Sequence, residues 1–240
     1  LARDKSVCVA AGAQTVVMPN GTLKVPVATA DPTCYWRAES VAVTASHPTI
    51  VAKTLTAKTC AILCKIPIEL YQDSQMLGAY IEDSIALALA AEIDKQALVG
   101  DGSGSTPTGI ASTASIGTSA ATDPLGLGDI RLAVQTLLAT NVPLEAIAAV
   151  YNSRTWAQFD ELVDGEGRPL LGERAPESFR AIKHLVTNSI PSTYGEGTDS
   201  KIIVGDFRNL LLGMRNDISI KAFEAGNDGI TDAVVCIEMY

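Results

Sequence analysis

The sequence predicts an α+β fold, because stretches with the apolar spacing of strands and stretches with that of helices follow one another along 240 residues. Two segments carry most of this prediction. Across Thr49–Ile66 apolar residues tend to recur at every second position, the period of a strand. Between Leu77 and Ile93 they recur at every fourth position, as on one face of a helix. Shorter runs of both kinds intermix after that helix.

The segment before the helix is interpreted as an arm followed by a long hairpin. Residues 1–20 show no clear period and are taken as an extended arm. Alternation around Val25 predicts a first strand, and Thr49–Ile66 predicts a second strand. At about 3.3 Å per residue the second strand would span ~59 Å, against a diameter of ~45 Å for a chain of this length. The hairpin should therefore project and bury its apolar residues against another chain.

The helix that follows is the strongest local prediction. Pro67 should end the preceding strand, and Asp73 or Ser74 should cap a helix of about 25 residues, placed at 74–98. Gly100 should end it. Its apolar stripe consists of Leu77, Ile81, Ile85, Leu89 and Ile93. The glycine-rich segment 100–109 is interpreted as a helix stop and chain reversal, because it follows a helix and lacks the Lys of a phosphate-binding loop.

Further elements are predicted downstream. Helices are expected at Asp129–Thr140 and from Asn152 or Ser153 to Leu162, the first with Ile130, Val134, Leu137 and Leu138 facing inward. Ala146–Tyr151 should be a short buried strand. Other strands are predicted at His184–Thr187, Lys201–Val204, Leu210–Met214, Ile218–Phe223 and Ala233–Ile237.

Composition excludes several classes of function. Charged residues make up only 19% of the chain, which indicates surface hidden against partners, and the net charge of −9 argues against a broad basic face for nucleic acid. The longest uncharged apolar run, Ile85–Ala91, is far too short to cross a membrane. The five cysteines are scattered without a CxxC pair, so reduced and mostly buried thiols are expected.

Three groups of residues were candidates for chemistry: the histidines His47 and His184, the cysteines Cys60 and Cys64, and the acids Asp160, Glu161, Asp164 and Glu166. Neither histidine has ligands at metal-binding spacing. The two cysteines share a strand face but lie ~13 Å apart, so packing is the expected role. The acids resemble a calcium loop in composition only, and a solvated turn is favoured over a metal site. No catalytic, cofactor-binding or metal-binding residue, no cofactor and no enzyme activity are predicted.

The order of short motifs along the chain is more specific than any one of them. The motifs are KIPIELYQDS at 65–74, GDGS at 100–103, PTGI at 107–110, VYNS at 150–153, GEGRPLL at 165–171, IPS at 190–192 and VGDF at 204–207. Together with the hairpin and the long helix, this order resembles the major capsid proteins of tailed bacteriophages with the Hong Kong 97 fold. The resemblance covers residues 19–237.

The resemblance implies a domain organisation. Residues 1–20 correspond to an N-terminal arm, 21–66 to an extended loop that reaches over a neighbour, and 67–111 to a peripheral domain built on a spine helix. Residues 112–225 correspond to the axial domain, and 226–240 return to the peripheral domain.

The resemblance also implies a structural function. Copies would assemble as hexamers and pentamers into an icosahedral shell, the capsid of the virion, which is put together in the host cytoplasm. The shell would enclose double-stranded DNA without sequence-specific binding, with portal, scaffold or decoration proteins as further partners and no membrane. An encapsulin-like compartment or a gene-transfer-particle shell of the same fold is the alternative. A soluble enzyme whose site has no recognisable motif is the alternative from another class.

We predict that this shell is held by non-covalent contacts. The family is known for an isopeptide bond between a loop Lys and an Asn of a neighbour, but no Lys lies between Val27 and Ala52. The one base there, Arg37, stays protonated and cannot act as an amine nucleophile. In hot detergent with reductant the shell should dissolve to single chains on electrophoresis. Multimers that survive reductant would contradict this, whereas multimers that reductant removes would implicate a disulfide at Cys34.

Overall fold

A computed structural model describes residues 6–39, 41–42, 45–67, 76–114, 116–120, 125–164, 166–171, 175–194, 199–215, 219–225 and 232–239. The helices in these ranges are α1 (Val7–Ala11), α2 (Leu77–Val99), α3 (Leu127–Leu138), α4 (Ser153–Asp160) and α5 (Glu177–Arg180). The strands are β1 (Gln14–Val17), β2 (Thr22–Ala30), β3 (Thr49–Thr56), β4 (Cys60–Pro67), β5 (Ile147–Tyr151), β6 (Lys183–Val186), β7 (Ile203–Asp206), β8 (Leu211–Met214), β9 (Ser219–Ala225) and β10 (Asp232–Met239).

Strand β5 lies at the centre of a three-stranded sheet, parallel to β6 and antiparallel to β7. Its side chains alternate between two apolar clusters, as the pleat of a strand requires. Ile147, Ala149 and Tyr151 join the cluster formed by α3, α4 and α5, whose largest members include Phe159 and Phe179. All five residues of β5 are buried, as predicted for Ala146–Tyr151.

The opposite face of β5 packs against the N-terminal part of the chain and the end of α2. Ala148 and Val150 of this face share a cluster with Cys8 of α1, Leu98 of α2 and Phe207. Strand β1 then runs parallel to β8. The N-terminal segment is therefore packed into the body of the subunit.

A second sheet packs against α2. Its order is β4-β10-β9, with antiparallel neighbours throughout. Cys60 and Ile62, two residues apart on β4, lie on the α2 side chains Ile85 and Leu89. The predicted stripe of α2 is therefore confirmed for its middle turns, and Gly100 ends the helix as predicted.

The predicted strand Thr49–Ile66 is wrong as a single element. It is two strands: β3 pairs only with β2, and β4 pairs with β10 in a different sheet. Residues 57–59 separate them without strand structure. The covered face does not continue across the break, since Cys60, Ile62 and Cys64 of β4 are half-buried whereas Leu55 is the one half-buried residue of β3. Apolar residues occur on both strands, so their spacing alone does not show the change of partner.

Three other predictions need correction. Residues 6–20 do not form an extended arm throughout, since they contain α1 and β1. Leu138, predicted to face inward, is exposed at the last position of α3. The other three residues predicted to face inward, Ile130, Val134 and Leu137, do pack in the cluster of α3, α4 and α5. Helix α5 had no predicted counterpart. Asp73 and Ser74, the predicted caps of α2, lie outside the described residues.

The glycine-rich segment after α2 is a tight reversal, as predicted. Asp101 and Thr108 form an isolated antiparallel bridge. The Asp101 carboxylate accepts hydrogen bonds from the Ser103 hydroxyl, the Ser103 amide and the Thr106 hydroxyl, at 2.5–3.0 Å. These bonds, that of the Ser103 hydroxyl first, lower the pKa of Asp101 to about 2. The carboxylate therefore serves to hold the turn.

We predict that Gly109→Ala destabilises the subunit by about 2 kcal/mol, because a Cβ there has no room. It would lie 2.5 Å from the Gly100 nitrogen and 2.6 Å from the Gln96 carbonyl oxygen. The matched control is Gly78→Ala in α2, where nothing lies within 4 Å. That change should stabilise the subunit by about 0.5 kcal/mol through helix propensity. Urea denaturation measures both, and an unaltered midpoint for Gly109→Ala would contradict the tight approach.

Candidate functional site

The hairpin of β2 and β3 is largely exposed. The two strands pair antiparallel, with Leu23 opposite Leu55, Val25 opposite Lys53 and Val27 opposite Val51. Directly opposite residues share a face of a sheet, so these pairs form one largely apolar face. Among the described helices and strands, none lies along this ribbon.

Exposure increases along the apolar face from root to tip. Leu23, Val25 and Leu55 near the root are half-buried, whereas Val27 and Val51 further along are exposed. On the opposite face, Ile50 is 61% exposed. The apolar side chains Val27, Ile50 and Val51 are thus exposed to water in the isolated chain, which favours burial against another chain.

The tip of the hairpin, residues 31–48, has no regular secondary structure where it is described. The Ser46 hydroxyl closes its neck, since it accepts a hydrogen bond from the Thr33 amide and donates one to the Thr33 carbonyl, at 3.0 and 3.1 Å. Within the loop the Arg37 guanidinium donates to the Val41 carbonyl at 2.7 Å. The tip is therefore held by its own hydrogen bonds.

Trp36 in this tip is fully exposed, with 102% relative exposure. Tyr35 and Val41 beside it are also exposed. Tryptophan and tyrosine are enriched among the residues that contribute most to protein interfaces. A pinched loop that presents an uncovered Trp and Tyr is suited to contact with another protein surface.

The root of the hairpin is closed by one hydrogen bond and attached to the body at two points. The Ala57 amide donates to the Gly21 carbonyl at 2.8 Å and closes the stem. Lys58, between β3 and β4, donates from Nζ to the Gly104 carbonyl at 2.7 Å. Leu55 and Met18 both lie over Gly213 of β8. The direction in which the hairpin leaves the body is set by these contacts.

A second exposed apolar surface lies on the first half of α2. Met76, Tyr80 and Leu87 are exposed there. About two and three turns beyond Leu87 on the same helix face, Asp94 and Leu98 are buried. The covered part of this face lies under α1, and the uncovered part is available to another molecule.

Of the two histidines that were candidates for chemistry, His184 makes structural contacts and His47 is exposed. His184 Nε2 donates to the Phe179 carbonyl, with 2.6 Å between the atoms, so Nδ1 accepts from the Tyr151 hydroxyl at 3.1 Å. Its ring also packs on Phe179. His47 is exposed in the hairpin tip. The structure does not bring the two histidines together with acids or cysteines: in the described ranges, no group of three or more such side chains could hold a metal ion.

The acidic turn is also accounted for. Asp164 accepts hydrogen bonds from the amides of Glu166 and Arg168, both at 2.9 Å, and Glu166 pairs with Arg168. Asp160 and Glu161 are exposed. These contacts agree with the interpretation of a solvated turn.

The cysteines differ from one another. Cys8, Cys34, Cys60 and Cys64 are free thiols, but only Cys8 is fully buried. Cys60 and Cys64 are half-buried and Cys34 is exposed in the tip, so the prediction of mostly buried thiols is wrong for the four thiols that the structure describes. The side chain of Cys236 lies outside the described residues. None of the helices in the described ranges combines the length and the apolar composition that a membrane crossing requires.

Comparison with known proteins decides the family. The sequence profile of the phage capsid family matches residues 2–236. This chain belongs to the phage capsid family. The membership confirms what the order of motifs indicated.

Two kinds of similar protein accompany this match. The major capsid protein of Klebsiella oxytoca phage phiKO2 is 25% identical over 249 residues, which cover 95% of this chain and 57% of that protein. The chain thus spans little more than half the length of this curated relative. The capsid of a native GTA particle superposes with a TM-score of 0.73 and 20% identity, over 95% of this chain and 82% of that one. A chain of Microbacterium phage Oxtober96 gives 0.73 and 17%, over 98% and 83%. The α+β fold is therefore the fold of phage capsid chains.

We predict that this phage capsid family chain loses stability at high pH through Tyr151. Burial raises the pKa of Tyr151 to about 12, from an ordinary value near 10. Between these values the folded chain keeps the phenol proton that the unfolded chain releases. Stability is thus complete below about pH 10 and falls as pH rises, by about 1 kcal/mol at pH 11.

Urea denaturation at pH 9 and pH 11 measures this loss, with Tyr151→Phe as the control. The variant lacks the ionisable group, so its stability should fall less between the two pH values than that of the wild type. An equal fall in both chains would contradict the assignment.

Proposed function

We propose that this chain is the shell-forming part of a major capsid protein, and that its copies close into an icosahedral shell around double-stranded DNA. The observation that carries the proposal is the uncovered hairpin, with an apolar stem and a tip that presents Trp36. In a monomer this apolar surface would remain exposed to water. In a shell it lies against a neighbouring copy, and repeated contacts of modest strength close the lattice through effective concentration.

The same proposal assigns the parts of the fold. The hairpin of β2 and β3 is the extended loop, α2 is the spine of the peripheral domain, and β4 with β10 and β9 forms that domain's sheet. The region of β5, β6 and β7 with α3, α4 and α5 is the axial domain around the hexamer and pentamer centres. Residues before β2 correspond to the N-terminal arm, although α1 and β1 are packed on the body.

The role proposed is structural and not enzymatic. The acidic balance of the chain, net charge −9, suits a container whose wall does not adhere to packaged DNA. Copies of this chain are the main partners, and portal, scaffold or decoration proteins are further ones. The place of action is the virion, after assembly in the host cytoplasm.

A gene-transfer-particle shell is the second candidate. The likeness of the fold to the capsid of a native GTA particle favours it to the same extent as the likeness to phage chains. Extraction of nucleic acid from purified shells, followed by sequencing, separates the two. Phage genome in the shells supports the first candidate, and fragments of host DNA support the second.

The test of shell assembly removes the hairpin tip. Replacing residues 31–48 by an Asn-Gly turn keeps the pairing of β2 with β3. Because the described contacts of the tip are internal to it, the isolated subunit should keep its urea midpoint. Electron microscopy should show shells for the wild type and none, or misshapen ones, for the variant.

Two substitutions of Trp36 test the contribution of this side chain to the contact between copies. Trp36→Ser should raise the concentration needed for assembly about tenfold or more, as expected for an interface hot spot. Trp36→Phe keeps an aromatic apolar side chain and should raise it less. Wild-type protein that sediments only as a 25.1 kDa chain would contradict the proposed function. Normal shells from the tip variant would contradict the role of the hairpin.

A further inference from the structure

We propose that Asp94 and Lys183 hold the segment Ser6–Met18 as a clip across the subunit, and that this N-terminal clip fixes α2 against the sheet of β6, β5 and β7. The clip comprises α1 and β1. Its consequence for shell geometry rests on the proposed function, whereas the clip itself is a property of the single subunit.

Asp94 holds the beginning of the clip. Its side chain lies on α2 and is 2% exposed. The carboxylate accepts hydrogen bonds from the Ser6 hydroxyl at 2.6 Å, the Val7 amide at 2.7 Å and the Cys8 amide at 3.1 Å. A buried carboxylate is tolerated when hydrogen bonds replace its water, and here the clip provides them.

Lys183 holds the other end of α1. It lies at the start of β6, and its Nζ donates to the Ala10 carbonyl in the last turn of α1. Negative charge is favourable at the first turn of a helix and positive charge at the last. Isolated helices as short as the five residues of α1 are unstable in water. The two charges, 89 positions apart in sequence, therefore stabilise α1 from both ends.

Apolar packing and strand pairing complete the clip. Cys8 shares a buried apolar cluster with Leu98 of α2 and Val150 of β5. Burial, and then the negative charge of Asp94, raise the pKa of the Cys8 thiol, which suits a packing role for its sulfur. After α1, the amides of Gln14 and Met18 donate to carbonyls at the two ends of the β8 segment, at 2.9 and 2.7 Å.

The clip thus joins three parts of the chain that are distant in sequence: α2, the β5 sheet and β8. A segment attached to all three resists rotation of α2 relative to the sheet. On the proposed function, α2 belongs to the peripheral domain and the sheet to the axial domain. The clip then sets the angle between these two domains, and through that angle the curvature of the shell.

The experiment compares Asp94→Asn with Glu82→Gln. Both changes remove one negative charge from α2, but Glu82 is exposed. Hydrogen exchange with mass spectrometry on the full chain reads the amides of residues 6–18. In Asp94→Asn, exchange in the clip should accelerate ~10- to 100-fold. The Asn side chain is neutral and has one acceptor oxygen, so it cannot replace the two charged oxygens that accept the three hydrogen bonds. Peptides containing β5, and the clip in Glu82→Gln, should exchange as in the wild type.

Two milder variants keep the test decisive if Asp94→Asn does not fold. Ser6→Ala removes one of the three donors, and Lys183→Met removes the cation at the far end of α1. Each should accelerate exchange in the clip by a smaller factor and leave β5 unchanged. Wild-type exchange of the clip in Asp94→Asn, or in both milder variants where Asp94→Asn is unfolded, overturns the proposal. Equal acceleration in the clip and β5 overturns it too.

Electron microscopy of the folded variants tests the consequence for the shell. A released clip should broaden the distribution of shell diameters. Accelerated exchange with an unchanged diameter distribution overturns the link to curvature and leaves the clip in place. Failure of the wild type to form shells refutes the proposed function, whereas the exchange result depends only on the subunit.

Discussion

Strand β5 is the element on which the rest of the subunit depends, because it is buried on both faces and hydrogen-bonded along both edges. One face closes the cluster of α3, α4 and α5, and the other closes the cluster of α1 and α2. The two apolar clusters thus lie on opposite faces of the same strand. A cavity or a polar group introduced at Ala149 would therefore weaken the helical layer, and one introduced at Val150 would weaken the seat of the N-terminal clip.

The hairpin of β2 and β3 is in the opposite situation from β5, which is buried on both faces. A two-stranded ribbon is marginally stable in water, and β2 and β3 have neither a third strand nor a covering helix among the described elements. Its hydrogen-bonded neck at Thr33 and Ser46 and its fastening at Lys58 give it a defined shape without a core. On the proposed function, the body is held by its own apolar clusters, and the hairpin gains its apolar burial from a neighbouring copy. This division suits a subunit that folds first and assembles afterwards.

Much of the fold could be predicted from local pattern. The middle and end of α2, the burial of β5 and the positions of β6, β8, β9 and β10 follow from apolar spacing, because spacing records which side of a segment meets a core. Strand β7 begins at Ile203, two residues after the predicted start at Lys201. The order of motifs from 65 to 207 indicated the family, and the family match confirms it. Alternation in Leu23–Val27 predicts the first strand of the hairpin, and the structure confirms that strand as β2.

Sequence by itself thus determined the class, the family and the existence of a hairpin, since each depends on residues close together in the chain or on their order. Only the tertiary structure decided that Thr49–Thr56 and Cys60–Pro67 belong to different sheets, because identical alternation serves either partner. It also decided that Ser6–Met18 is packed and partly helical. The signal for that lies in Asp94 and Lys183, and no local pattern relates a carboxylate to amides 86 or 87 positions away.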